Sequence, residues 1–355
     1  MAERILSQKA LNRALLARQL LLERSDADLI QAVEQVAGLQ TQYAPSAYIG
    51  LWSRLRSFRR DDLTRALEQR QLVQGTLMRS TIHIVSARDY PLLAAGIRRG
   101  RREWWIRAQG SQLDHVNVDA AADRLRHHLA SGPLRQADLM ERMAADGHPR
   151  AAVLAAATVV DLVRVPPSGT WEHRRADLYG LAEAWFPASD ATEEEGLALA
   201  AHRYLAGFGP ASLADLAGWA GLPVTLIRPV VDRIDVRRYR DADGRELLDL
   251  PGAPLPDPDT PAPVRFLPTW DATLLVHARR TQILPERHRP RLFATRTPHS
   301  FPSFLVDGAV AGTWRYEDGR VSLEPFEPLA PRVQGELAAE AVGLAALHED
   351  RAARP

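Results

Sequence analysis

The sequence predicts an α+β fold, mainly α, in which three tandem winged-helix domains precede a small C-terminal β-barrel. Helical patterns followed by two short strand patterns recur along the chain, which is the winged-helix order of elements. The segment GPLRQADL at 132–139 returns as GPASLADL at 209–216, and a repeat at about 77 residues indicates tandem domains of one kind. Beyond a proline-rich run, short strand patterns predominate and favour a barrel or sheet.

These patterns divide the chain into five predicted segments. The proline-rich run is expected to be a stiff linker between the helical part and the C-terminal part. The segments are residues 1–88, the first winged helix; 89–182, the second; 183–250, the third; 251–263, the linker; and 264–355, the barrel or sheet with a closing helix.

Apolar spacing and turn residues predict the individual elements. A helix is expected to start at Ser25, a hydroxyl N-cap, and to stop at Gly38. Further helices begin within 132–139 and 209–216, and the others are predicted at 11–22, 46–55, 61–69, 91–108, 118–129, 150–163, 193–205, 224–234 and 331–348. Strands are predicted at 72–75, 81–85, 163–165, 177–180, 236–239, 246–250, 265–267, 272–276, 303–306, 310–314 and 320–324.

Composition excludes several classes of protein. With no cysteine among 355 residues, disulfides, thiolate zinc sites and cysteine-bound iron–sulfur clusters are ruled out. The eleven histidines show no metal-ligand spacing, and phosphate-binding and nucleophile-elbow motifs are missing, so we expect no metal and no cofactor. No apolar run reaches the length of a membrane span and the N-terminus lacks a signal-peptide pattern, which predicts a cytoplasmic protein.

Charge is unevenly distributed although the net value is only +1. Residues 1–110 carry 18 basic against 10 acidic side chains, whereas residues 111–260 carry 15 against 23. Residues 265–296 hold seven arginines against Asp271 and Glu286. A concave protein that grips a phosphate backbone with its two ends would show this polarity.

Two glutamines stand in a short segment between two helical patterns. Gly38 stops the helix before it, and Pro45 keeps Ala44 out of a helical conformation. In an extended segment side chains two apart point the same way, so Gln40 and Gln42 are predicted to face one side together. Each carboxamide offers a carbonyl acceptor and an NH2 donor.

Gln40-x-Gln42 after an amphipathic helix, with Trp52 and then Arg79-Ser-Thr-Ile-His83, resembles the AlkZ-like winged-helix DNA glycosylases. Trp270-Asp271 and the segments 306–308 and 312–314 resemble the C-terminal part of that family. The active-site motif is Gln-hydrophobic-Gln in its AlkZ branch and Gln-hydrophobic-Asp in its YcaQ branch. This chain departs from the pattern at Thr41, and has Ser80 where the family usually has glycine. The resemblance implies that Gln40 and Gln42 are catalytic.

The implied reaction is hydrolysis of the N-glycosidic bond of cationic N7- or N3-alkylated purines by a monofunctional DNA glycosylase. Bulky adducts are expected substrates and interstrand crosslinks a further one, in repair or in self-resistance to a genotoxin. A carboxamide does not titrate near neutral pH, but a cationic purine leaves as a neutral base without protonation. Two carboxamides that orient one water and present a carbonyl dipole to the sugar cation would then suffice.

The partner implied is double-stranded DNA with alkylated purines, and we expect a monomer that is nucleoid-associated while it acts, without a membrane. Arg79, Thr81, His83, Arg279 and Arg280 are predicted to contact DNA. Some alternatives stay open. Arg79 could pair with Asp61 or Asp62, His83 could be a core residue bonded to the backbone, and the Arg279–Arg280 pair could lie in a solvated turn. The arginines of 91–108 suit either phosphate contacts or a solvated helix face.

A second function is compatible with the repeat. Tandem winged helices are mostly regulators, so a non-catalytic transcription regulator is the alternative. Two observations favour the enzyme: Gln40 and Gln42 lie in a loop and not on a recognition helix, and a regulator does not need the C-terminal barrel.

Overall fold

A computed structural model describes residues 4–110, 116–187, 189–278, 281–294 and 299–350. Its helices, in chain order, are α1 (Gln8–Arg18), α2 (Leu29–Gln35), α3 (Pro45–Arg54), α4 (Arg60–Glu68), α5 (Asp89–Gln109), α6 (Val118–Leu129), α7 (Gln136–Ala145), α8 (Arg150–Ala156), α9 (Glu193–Phe208), α10 (Leu213–Ala220), α11 (Val224–Val231), α12 (Arg289–Leu292) and α13 (Pro331–Glu349).

Within the described ranges the strands are short and fall into four sheets. In chain order they are β1 (Ile5–Leu6), β2 (Leu39–Gln40), β3 (Leu72–Thr76), β4 (Ile82–Ser86), β5 (Leu134–Arg135), β6 (Leu162–Arg164), β7 (Leu178–Leu181), β8 (Arg237–Asp241), β9 (Glu246–Asp249), β10 (Arg265–Leu267), β11 (Phe293–Ala294), β12 (His299–Ser300), β13 (Ser303–Val306), β14 (Ala309–Glu317) and β15 (Arg320–Pro325). The mixed α/β content agrees with the predicted class.

Two of the predicted wings merge into one sheet. The hairpin of β3 and β4 pairs through β3 with β6, so that six strands run in the order β2-β4-β3-β6-β7-β5. Strand β2 lies at one edge and carries Gln40, which is paired with His83 of β4. The segments 1–88 and 89–182 are therefore joined by backbone hydrogen bonds as well as by sequence.

The N-terminal strand completes a different sheet. Strand β1 runs parallel to β8, which forms an antiparallel hairpin with β9. Arg18 at the end of α1 binds both carboxylate oxygens of Asp249, at 2.6 and 2.9 Å. These contacts attach the start of the chain to the segment predicted as the third domain, which no sequence pattern indicated.

The C-terminal part is an open sheet, so the predicted barrel is wrong for the described residues. Its strands run in the antiparallel order β10-β13-β14-β15, with β10 and β15 at the edges. The strand predicted at 272–276 is a short 3-10 helix, Ala272–Leu274, because the Asp271 carboxylate caps the amide of Thr273. The open sheet packs instead on α13 and α3 through apolar residues such as Phe266, Phe304 and Leu344.

Two other predicted boundaries move for identifiable reasons. Asp28, not Ser25, caps α2 by accepting a hydrogen bond from Gln31 N. Ser25 forms a bridge to Leu55 with its backbone instead. The helix predicted at 150–163 ends at Ala156, and β6 then begins at Leu162. The pairing of β6 with β3 and β7 overrides the helical periodicity of the sequence at this position.

The six-stranded sheet has an apolar core on each face. Val73 and Val85 belong to the larger cluster with Tyr90, and Leu72 and Ile84 belong to the cluster formed with α3, α4 and the C-terminal sheet. Gln40 and His83 share the side of the first cluster because paired residues in an antiparallel ladder point to the same face. The edge of this sheet thus holds the Gln40 side chain against the larger core.

Candidate active site

The segment with the two glutamines continues along β4 after β2 ends. Thr41 N donates to Ile82 O at 2.8 Å, and Pro45 then opens α3. Thr41 is 1% exposed, and its hydroxyl has no hydrogen-bond partner among the described residues. Thr41, which stands where the family has a hydrophobic residue, is therefore buried in this chain.

Gln40 is buried, and its carboxamide orientation is fixed by an arginine. Its Oε1 accepts a hydrogen bond from Arg79 Nη2 at 2.6 Å. A guanidinium only donates, so the oxygen must face Arg79. The NH2 group and the second lone pair of Oε1 are left for other partners.

Gln42 is exposed, and a backbone amide fixes its orientation. Its Oε1 accepts from Ile82 N at 2.7 Å. The side chain thus takes the place that a main-chain carbonyl would have if β2 were longer. The predicted shared face holds only in part, since both carboxamides are anchored beside β4 but Gln40 is buried and Gln42 is exposed. The reason is that the strand ends at Gln40.

Arg79 lies in a tight turn that a neighbouring helix closes. Its φ is +53°, in the left-handed region, and its Nη1 donates to Trp219 O at 3.1 Å. Gly221 follows α10, and an added Cβ there would lie 2.9 Å from Arg79 Cα. For Arg79, the structure shows hydrogen bonds to Gln40 and Trp219, an arrangement that the sequence did not suggest. The segment predicted as the third domain thereby supports the glutamine loop.

His83 and Thr81 bond to their own strand and turn. His83 is 2% exposed, and its Nδ1 lies 3.1 Å from Thr81 O, while Thr81 Oγ1 donates to Met78 O at 2.9 Å. This is the core arrangement left open for His83, and it offers DNA no surface at that side chain. Arg279 and Arg280 lie outside the described residues.

Burial lowers the pKa of His83 from 6.5 to about 3, helped by the charge of Arg79 and opposed by the hydrogen bond to Thr81. The native protein therefore keeps this ring neutral at pH values where the unfolded chain binds a proton. Above about pH 6.5 His83 does not lower the free energy of unfolding. As pH falls from there toward 3, protonation of His83 in the unfolded chain makes the free energy of unfolding smaller.

We expect the His83 ring to cost the wild type about 2 kcal/mol of stability between pH 7 and pH 5. His83→Asn keeps a donor for Thr81 O but cannot titrate, so its stability should fall by that much less over the same interval. Urea unfolding of both proteins at the two pH values measures the difference. The same loss in both proteins would show that His83 is not its source.

A buried ion pair forms the floor beneath Gln40. Arg54 of α3 binds the two carboxylate oxygens of Asp271 at 3.0 Å each, and their side chains are 2% and 3% exposed. Gln40, Arg54, Trp270 and Asp271 line one small pocket. Sequence reasoning noted Trp270-Asp271 only as a family likeness. An arginine on the otherwise apolar face of α3 was the available signal for a buried partner.

A second hollow, of about 420 Å³, is lined in part by Arg79. Residues of α5 and of the α10–α11 connection line it, among them Arg101, Trp104 and Leu222. Three other arginines of α5 form ion pairs: Arg98 with Asp161 at 2.5 Å, Arg99 with Glu193 at 2.9 Å and Arg102 with Asp119 at 3.7 Å. Of the two alternatives that the sequence left open for this helix, the ion pairs agree with the solvated helix face and not with phosphate contacts.

The described residues contain neither a candidate metal cluster nor a helix suited to crossing a membrane. No group of three or more histidine, cysteine or carboxylate side chains is placed there to hold a metal ion. None of the helices in the described ranges combines the length and the apolar content that crossing a bilayer needs.

Comparison with known proteins places the chain in a family. Residues 33–347 match the model of the family described as DNA glycosylase AlkZ-like. Among solved structures, the Streptomyces sahachiroi DNA glycosylase AlkZ superposes with a TM-score of 0.79 at 18% identity, over 97% of this chain and 96% of that one. A search of curated proteins finds no match. Because the family match covers most of the sequence, the chain belongs to the AlkZ-like DNA glycosylase family.

Proposed function

We propose that the protein is a monofunctional DNA glycosylase that hydrolyses the N-glycosidic bond of cationic N7- or N3-alkylated purines in duplex DNA. It acts as a monomer on nucleoid DNA in the cytoplasm, with bulky adducts and interstrand crosslinks among its substrates, in repair or genotoxin self-resistance. One observation carries the proposal. In a chain of this family, two carboxamides are each fixed by a donor beside the same strand, Gln40 by Arg79 and Gln42 by Ile82 N.

The reaction needs little acid–base chemistry from the protein. The C1′–N9 bond breaks, and its electron pair stays with the cationic purine. The purine therefore leaves as a neutral base. Water adds to C1′ and releases a proton to solvent. The remaining task is to place that water and to hold it while the sugar becomes cationic.

The donors on both carboxamide oxygens decide which task the glutamines perform. Each Oε1 already accepts one hydrogen bond, so part of its negative charge is offset and it is a weaker stabiliser of the sugar cation. Each carboxamide still has an NH2 group and one oxygen lone pair in a fixed orientation. A water that donates to such an oxygen keeps its own lone pair free for C1′. The geometry therefore favours water positioning over cation stabilisation, whereas the sequence suggested both roles without ranking them.

Release of N7-methylguanine from a duplex is the direct test. The protein in excess is incubated with the alkylated duplex, and free base is quantified over time beside an undamaged duplex. The Gln40→Ala/Gln42→Ala double variant, purified identically, controls for contaminating glycosylases. Tight duplex binding without release of any alkylated base would favour the regulator.

Arg79→Lys should lower the single-turnover excision rate by roughly tenfold, because one ammonium does not reproduce the planar fork that joins Gln40 to Trp219. Duplex affinity should stay within a few-fold of wild type, since the charge is kept. Arg98→Lys, at an ion pair on α5, is the matched control and should leave excision unchanged. An equal loss of affinity and rate in Arg79→Lys would point to a phosphate contact.

A further inference from the structure

The connection between β6 and β7, residues 165–177, is anchored by contacts outside its own two strands. Trp171 enters the core beneath α3, where its ring lies 5.6 Å from Tyr48 and 5.1 Å from His348, with the Arg60 guanidinium 4.7 Å from the ring centre. A Cβ at Gly169 would lie 2.0 Å from Gln74 Oε1, so the loop backbone lies against the Gln74 side chain of β3. The loop is therefore part of the framework that carries the glutamines.

Hydrogen bonds within this loop hold its shape. Ser168 Oγ donates to Arg175 O at 2.7 Å and accepts from the amides of Asp177 and Leu178 at 2.9 and 3.0 Å. Gly169 N donates to His173 O at 2.8 Å. Side chains that project from residues 173–175 thus start from a fixed backbone.

Arg174 connects the loop to the candidate active site. Its Nη1 donates to Tyr43 Oη at 2.9 Å, and its guanidinium lies 5.8 Å from the ring centres of both Tyr43 and Trp171. Tyr43 is 40% exposed and directly follows Gln42. A surface continuous in sequence and in contacts therefore leads from Gln42 across Tyr43 to residues 173–175.

At the end of that surface is a basic hollow of about 160 Å³, whose charged lining consists of Arg135, His173, Arg174, Arg175 and Asp177. Asp177 holds Arg135 at 3.2 Å and Arg175 at 3.4 Å. Each contact uses one guanidinium nitrogen, and the side chains of Arg135 and Arg175 are 65% and 90% exposed. Three arginines against one carboxylate leave a net charge of +2 with His173 neutral.

We propose that this basic hollow binds a backbone phosphate of the DNA strand whose target nucleotide lies at Gln42. Guanidinium groups present several donors in a plane and match the oxygens of a phosphate. The inference rests on the proposed function for the position of the strand. Binding to the hollow does not itself require base excision.

The experiment compares the affinity of the full chain for an undamaged duplex over a range of salt concentrations. Arg135→Gln/Arg175→Gln should weaken binding roughly five- to tenfold and reduce the slope of log affinity against log salt by about 1, the value of one phosphate contact. Asp177→Asn should strengthen binding, since it removes the carboxylate that competes with the DNA phosphate for the arginines. Arg320→Gln/Arg332→Gln, which removes two exposed arginines of the C-terminal sheet and helix, is the matched control.

Equal losses in the two double variants would overturn the proposal, because they would reflect overall charge. So would weaker binding by Asp177→Asn with its thermal midpoint unchanged. Since the duplex is undamaged, these results stand whether or not base is released, and failure of the glycosylase assay remains separate.

Discussion

Gln42→Ala is expected to lower the single-turnover excision rate by about tenfold to a hundredfold while affinity for duplex DNA stays within a few-fold. The loss corresponds to about 1.4 to 2.7 kcal/mol at the transition state, the range for one positioned polar group. Gln42 is exposed and accepts its hydrogen bond from the amide of Ile82, so removal of its side chain leaves the apolar cores intact. Pre-steady-state release of N7-methylguanine with enzyme in excess measures the rate.

Gln40→Ala should slow excision by a similar factor, with an added cost in stability because Gln40 is buried and bonded to Arg79. Gln31→Ala, an exposed glutamine on α2, is the control and should behave as wild type. Wild-type rates in both Gln40→Ala and Gln42→Ala would refute the site. A large rise in the duplex dissociation constant at unchanged rate would assign the pair to binding.

The sequence located the two glutamines because their signal is local. Gly38, Pro45 and the spacing of two residues all lie within one short segment. The groups that orient the carboxamides were not predictable in this way. Arg79 is 39 residues from Gln40, and the Trp219 carbonyl that holds it is 140 residues further along the chain. Such pairs depend on tertiary packing, which neither helical periodicity nor strand alternation encodes.

The same distinction explains the fold. Strands β10 and β13 match their predicted bounds because each contains adjacent apolar residues limited by turn residues. The predicted strand at 272–276 was wrong since the capping carboxylate of Asp271 competes with strand pairing there. The pairing of β3 with β6 and of β1 with β8 joins strands that are distant in sequence. Such pairing depends on which strand edges still present unpaired backbone N–H and C=O groups when the segments pack together.

The second large effect concerns the ion pair beneath Gln40. Asp271→Asn should lower the free energy of unfolding by about 3–5 kcal/mol, because it leaves the Arg54 charge buried without a counterion. The two side chains are 2% and 3% exposed, so water cannot solvate the orphaned guanidinium. Asp271 also accepts from the amide and hydroxyl of Thr273, and a carboxamide can replace only part of those contacts. Chemical denaturation at pH 7 measures the change.

Asp26→Asn is the matched control, since Asp26 pairs with Arg56 at the surface, where the side chains are 74% and 52% exposed. That variant should change the free energy of unfolding by less than about 1 kcal/mol. Arg54→Met/Asp271→Leu separates charge from packing: with no unpaired charge left, the double variant should regain most of the stability that Asp271→Asn loses. If Asp271→Asn costs no more than Asp26→Asn, the pair does not hold α3 to the C-terminal sheet. Excision by the double variant, assayed below its unfolding transition, then reports whether Gln40 needs the ion pair itself or only a filled space beneath it.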